Sequence, residues 1–120
     1  MKVIVSARET DLEAPVDARF GRARYLLLVD TESGQVEEVI SNSANVAAGQ
    51  GAGVQAASAV AATPAEAVIS GNLGPKAFAV LERAGIPVFK APPSSVAEVV
   101  SAFTRGELEQ QREATVRGHW

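Results

Sequence analysis

The sequence predicts an α/β protein: a five-stranded mixed sheet, in the order β-β-β-α-β-α-β-α, flanked by helices. Three observations carry that prediction. Short apolar runs bounded by turn residues read as strands at Lys2–Ala7, Ala23–Asp30, Gln35–Ile40, Glu66–Ser70 and Ile86–Lys90. Beyond residue 41 helical segments alternate with strands, the pattern of crossover units that set strands parallel. Two glycine-rich loops, Gly49-Gln50-Gly51-Ala52-Gly53 and Ser70-Gly71-Asn72-Leu73-Gly74-Pro75, each open straight into a helix.

The elements follow in order. Val3, Ile4 and Val5 make the first strand a buried one, and Arg8–Arg22, polar and punctuated by Pro15 and Gly21, reads as an irregular loop. The connection Thr31-Glu32-Ser33-Gly34 is short enough to join the second and third strands as an antiparallel hairpin. A helix over Val54–Ala62 stops before Thr63-Pro64, as the residue before proline disfavours helix. Pro75–Ala84 carries proline at its first helical position and Gly85 past its end. Pro87 marks the fifth strand as a sheet edge. Ser95-Val96-Ala97-Glu98 is a capping box that opens a third helix through Phe103. Glu107–Trp120 is charged and weakly patterned, a frayed helix or disordered tail. The domain is therefore expected over 1–106 and a charged C-terminal tail over 107–120. With the first, fourth and fifth strands parallel and the second reversed, loops 8–22, 41–53, 70–75 and 90–95 share one rim. Ligands of open α/β sheets bind at such a rim.

Composition narrows the function. A chain of 120 residues, 47% apolar, makes one domain with a real core. A net charge of −3 argues against nucleic acid as a partner. There is no cysteine, which excludes disulfides and thiolate-held zinc or iron–sulfur clusters. The single histidine, His119, leaves no nucleophile–histidine triad and no usual transition-metal ligand set. No apolar run reaches membrane-spanning length and the chain starts as a strand, so a cytoplasmic protein without a membrane partner is expected.

Arg19-Phe20-Gly21-Arg22-Ala23, with the strand after it, then Gly51-Ala52-Gly53-Val54-Gln55-Ala56-Ala57, then Ser70-Gly71-Asn72-Leu73-Gly74-Pro75-Lys76-Ala77-Phe78, carry a resemblance. Over roughly residues 1–108 the chain resembles the dinitrogenase iron–molybdenum cofactor biosynthesis family, which includes NifX-type proteins and the C-terminal domain of NifB. The resemblance implies a ribonuclease H-like fold without ribonuclease chemistry, and nitrogen-fixation members that carry iron–sulfur precursors of the cofactor among cofactor-assembly proteins. Where the family often has a histidine before its Gly-Ala-Gly motif, this chain has Gln50, and a glutamine amide is no substitute for imidazole as an iron ligand.

The candidate cofactor-binding residues are Arg22, Gly49, Gln50, Gly51, Gly53, Gly71, Asn72 and Gly74. Glycine at a helix start lets backbone approach a ligand, and unpaired N–H groups with the helix dipole favour an anion. Turn-making alone is the competing reading, with Gly74 expected at positive φ and Asn72 in a left-handed turn. The Arg22 guanidinium offers a fork of donors to an anion; against that stands an ion pair with Asp17 or Asp30. Arg19 and Arg24 carry the same alternative. Phe20 reads as a plug anchoring its loop, Asn42 and Asn45 as loop caps or ligand-facing groups, and Lys76 as solvated or beside an anion. His119-Trp120 reads as an untethered end. Glu9, Asp11, Glu13 and Asp17 lie on a rim loop and not on the central strands that a two-metal hydrolase needs, so no catalytic residue and no metal ligand is assigned. The leading expectation is a non-enzymatic carrier that holds an anionic iron–sulfur or iron–molybdenum cofactor precursor, or a small anion, in a labile grip. A protein–protein adaptor with no ligand is the alternative, and a metal-dependent hydrolase a distant third.

Overall fold

The structure, a computed structural model, describes residues 1–42 and 51–113. Its strands are β1 (Lys2–Ala7), β2 (Tyr25–Asp30), β3 (Val36–Ser41), β4 (Ala67–Ser70), β5 (Val88–Lys90) and β6 (Gln110–Gln111). Among the described residues its helices are α1 (Ala52–Ala61), α2 (Pro75–Arg83) and α3 (Val96–Thr104), with a 3-10 turn at Phe20–Arg22. The sheet order is β3-β2-β1-β4-β5-β6. β1 runs parallel to β4 and β4 to β5, whereas β2 is antiparallel to both β1 and β3.

The sheet has six strands, not the expected five. The sixth, β6, pairs antiparallel with β5 and sits inside the segment expected to be a frayed helix or disordered tail. Two glutamines give no apolar alternation to read. The strand exists because β5 offers a free edge, which the Lys90 N–H extends with a bond to the Glu109 carbonyl at 2.8 Å. Pro87 consequently does not mark an edge. It lies just before β5, where its missing N–H falls outside the ladder while its carbonyl accepts from the Val68 N–H at 2.9 Å.

Strand pleating separates two apolar faces. Ile4, Leu26, Leu28, Val68 and Val88 pack with Ala56, Val60, Ala77 and Leu81 under α1 and α2. Val3, Val5, Leu27, Val29, Ala67 and Ile69 pack with Val96, Val99 and Val100 under α3. Three layers result, and the continuous apolar runs of β1, β2 and β4 follow from burial on both sides. Alanines at the contact face of α1 let that helix lie close on the sheet.

The C-terminal ends of β1, β3, β4 and β5 share one rim, and the 8–22 loop folds over it. Its Val16 N–H donates to Ser94 O at 2.9 Å, and its Ala14 and Leu12 carbonyls accept from the Val96 and Ala97 N–H groups, each at 2.9 Å. Arg19 forms a parallel bridge with Asn72. The loop thus ties the turn after β4 to the turn after β5, which brings the rim loops into one surface.

Candidate functional site

Two helices begin at this rim without a side-chain cap among the described residues. The N-cap of α1 is Gly51, exposed and at φ 85°, a left-handed conformation that favours glycine. The N-cap of α2 is Gly74, at φ −76° and ψ 165°, with Pro75 at the first helical position. Gly74 is therefore extended and does not take the expected positive φ. Asn72 is corrected likewise, since no described residue other than glycine has positive φ. The first turns of α1 and α2 thus point the positive ends of their helix dipoles at the rim.

Residues 18–22 join the two helix starts. The Asn72 N–H donates to the Ala18 carbonyl, and the Phe20 N–H donates to the Asn72 carbonyl at 3.1 Å. Gly71 lies so close to Ala18 that a Cβ there would stand 2.5 Å from the Ala18 carbonyl oxygen. Gly21 does the same against α1: a Cβ would stand 2.7 Å from Gly53 Cα and 2.8 Å from Gly53 N. The close approach that Gly53 and Gly71 allow is thus made by the chain's own backbone. Phe20, fully buried among Ile4, Leu26, Ala56 and Leu73, plugs the turn into the core.

Arg22 ends the 3-10 turn, half-buried and engaged by other groups of the protein. Asp17 accepts from the Arg19 N–H at 2.9 Å and lies 3.6 Å from Arg19 Nε. Asp30 stands at the far end of β2, opposite Lys2, away from the rim. Arg24 is exposed and stacks its guanidinium 5.7 Å from the Tyr25 ring centroid. Lys76 is exposed on the first turn of α2. Gly49, Gln50, Asn45, His119 and Trp120 lie outside the described residues.

The sequence reads Asn42 as a loop cap or ligand-facing group, whereas two further polar groups, Ser6 and Gln111, were not legible as site-builders. Asn42 is fully buried, and its Nδ2 donates to the Ala23 carbonyl at 2.8 Å and the Gly21 carbonyl at 3.3 Å. Ser6 donates to the Asp17 carbonyl at 2.7 Å and lies 2.7 Å from Ser70 Oγ, pinning the ends of β1 and β4 together. Gln111 reaches from β6 and donates from Nε2 to the Gly71 carbonyl at 2.9 Å. Gln111 gave no signal in the sequence. Among the described residues no group of three or more His, Cys, Asp or Glu is placed to hold a metal ion, and no helix is long and apolar enough to cross a membrane.

Known proteins match this arrangement along its length. The protein is 32% identical over 117 residues to the uncharacterized protein MJ0580 of Methanocaldococcus jannaschii, covering 92% of this chain and 98% of the relative. The apo form of the orange protein from Desulfovibrio gigas superposes with a TM-score of 0.90 at 32% identity, covering 96% of each chain. A solution structure from Thermotoga, provisionally assigned as a NifB protein, gives 0.82 at 34% identity, covering 98% of each. The profile of the family described as dinitrogenase iron–molybdenum cofactor matches residues 1–106. The chain belongs to that family, as its rim motifs implied.

Proposed function

We propose that this protein is a non-enzymatic cytoplasmic carrier that holds an anionic iron–sulfur precursor of the family's cofactor, or a small anion of similar charge, at the rim. The observation that carries the reading is the pair of uncapped helix starts, at Gly51 and Gly74, joined by the segment that bears Arg22. Helix N–H groups and a guanidinium are donors to an anion's outer atoms, not ligands to its metal. With no cysteine in the chain, the cargo would be gripped by hydrogen bonds and charge, which suits a protein that hands its cargo on to cofactor-assembly partners. The orange protein's description as an apo form supports a cargo-binding reading. The strand order, with β2 reversed, supports the ribonuclease H-like reading of the fold.

The test is anaerobic mixing with iron(II), sulfide and molybdate, followed by gel filtration and visible spectroscopy. Retained sulfide-to-metal charge-transfer absorbance, lost as salt is raised, is expected, because exposed electrostatic contacts are screened. Arg22→Ala should hold the colour more weakly, releasing it at lower salt, while its urea unfolding free energy falls by about 1 kcal/mol or less, the scale of ordinary surface substitutions. A wild-type protein that retains no colour defeats the carrier reading and leaves the rim as a docking surface for a partner protein.

A further inference from the structure

We infer that Asn42 is a positioning residue for this site: its buried amide latches the turn that carries Arg22, and so sets where the guanidinium stands. The inference rests on the carrier reading. Asn42 follows directly on β3 and has no exposed surface. Its backbone N–H donates to the Arg24 carbonyl at 2.8 Å, adding one rung beyond the β2–β3 ladder. Its Nδ2 donates to the carbonyls of Gly21 and Ala23, the residues on either side of Arg22. The latch therefore brackets Arg22 in the chain.

The chemistry requires this side chain. A primary amide supplies two N–H donors from one atom, a serine hydroxyl supplies one, and a carboxylate supplies none and would face two carbonyl oxygens. Without the amide, buried carbonyls lose their partners. On its other side the same turn rests on α1, where Gly21 meets Gly53 with no room for a Cβ. Latch and floor together hold the Arg22 backbone at a fixed distance from the first turn of α1. Loss of the latch frees Arg22 to move relative to those amides.

A double-mutant cycle with the iron(II)–sulfide–molybdate mixture as probe tests this. Asn42→Ser should remain folded by circular dichroism and bind about tenfold more weakly, within the range of coupled neighbours. In an Arg22→Ala background, Asn42→Ser should cause no further loss of binding, yet lower the urea midpoint by as much as it does alone. A structural role without positioning gives equal binding losses in both backgrounds, and that result overturns the inference. If Asn42→Ser does not fold, Gly21→Ala replaces it, moving the same turn with Asn42 intact, and it must show the same dependence on Arg22. Cargo retained equally by wild type and a folded variant defeats this inference alone. Absence of cargo on the wild type defeats the carrier reading, and the inference with it.

Discussion

At the scale of single residues, this fold depends on places where backbone meets backbone. Gly71 is the sharpest case. A methyl there would stand 2.5 Å from the Ala18 carbonyl oxygen and 2.7 Å from Ala18 Cα, both atoms of the main chain. A flexible side chain could give way; a backbone pinned by its own hydrogen bond to Asn72 gives way only by moving the turn. Gly71→Ala should therefore cost about 1–3 kcal/mol, the scale of overpacking, measured by urea denaturation. An unchanged midpoint would show that the turn relaxes freely. The sequence singled out Gly71 and Gly53, but for proximity to a ligand; their neighbours Ala18 and Gly21 are distant in sequence. Pattern along a chain reports conformational freedom, and only the fold reports what comes close. Gly74 shows the converse. It was expected at positive φ, and its φ of −76° removes the conformational argument against Gly74→Val.

Among the elements, those with their own local signals were legible. The Ser95 capping box stands as expected: the Glu98 N–H donates to Ser95 Oγ at 3.2 Å, and Glu98 Oε1 accepts from the Ser95 N–H at 3.1 Å. That backbone hydrogen bond, with the one from the Ser95 hydroxyl, lowers the Glu98 pKa below its ordinary value. A carboxyl whose folded pKa is depressed adds stability above its unfolded pKa and loses it as pH falls through the folded one. Ser95→Ala should cost about 1 kcal/mol at neutral pH, as lost caps do. It should also flatten the acid-side loss of stability, which sets in as pH falls through the ordinary carboxyl range toward the lowered pKa of Glu98. Thermal melts from pH 3 to 7 check this, and parallel acid limbs for variant and wild type would refute it. α1 was less legible at its start, beginning at Ala52 and not Val54, because alanine and glycine mark no boundary. The strand β6 was illegible, since its only cause is the edge it completes.

For the whole molecule the question is where the folded unit ends. The family profile stops at residue 106, and the charged segment after it reads in the sequence as a frayed helix or disordered tail. Yet β6 completes the sheet, Gln111 is 8% exposed, and its Nε2 donates to the Gly71 carbonyl at 2.9 Å and the Ser70 carbonyl at 3.4 Å. Those carbonyls belong to the end of β4 and the turn that leads to Gly74. A link therefore runs from the C-terminal strand through Gly71 to Ala18, and along residues 18–22 to Arg22. Sequence could not reveal it, because each step is a contact between segments tens of residues apart. The consequence separates two truncations that a motif-based boundary treats alike. A chain ending after residue 113 keeps β6 and should match the full-length protein in stability and in retained cargo. A chain ending after residue 106 loses the β5–β6 pairing and the Gln111 bonds. It should be less stable by about 1–3 kcal/mol, the cost of leaving buried polar groups unpaired, and should hold cargo more weakly. Gln111→Ala in the full chain should reproduce most of that loss, because it removes the clasp and keeps the strand. If the shorter truncation and Gln111→Ala both match the wild type in urea midpoint and in retained absorbance, β6 merely rests on the sheet, and the turn after β4 is held by Ala18 and Asn72 alone.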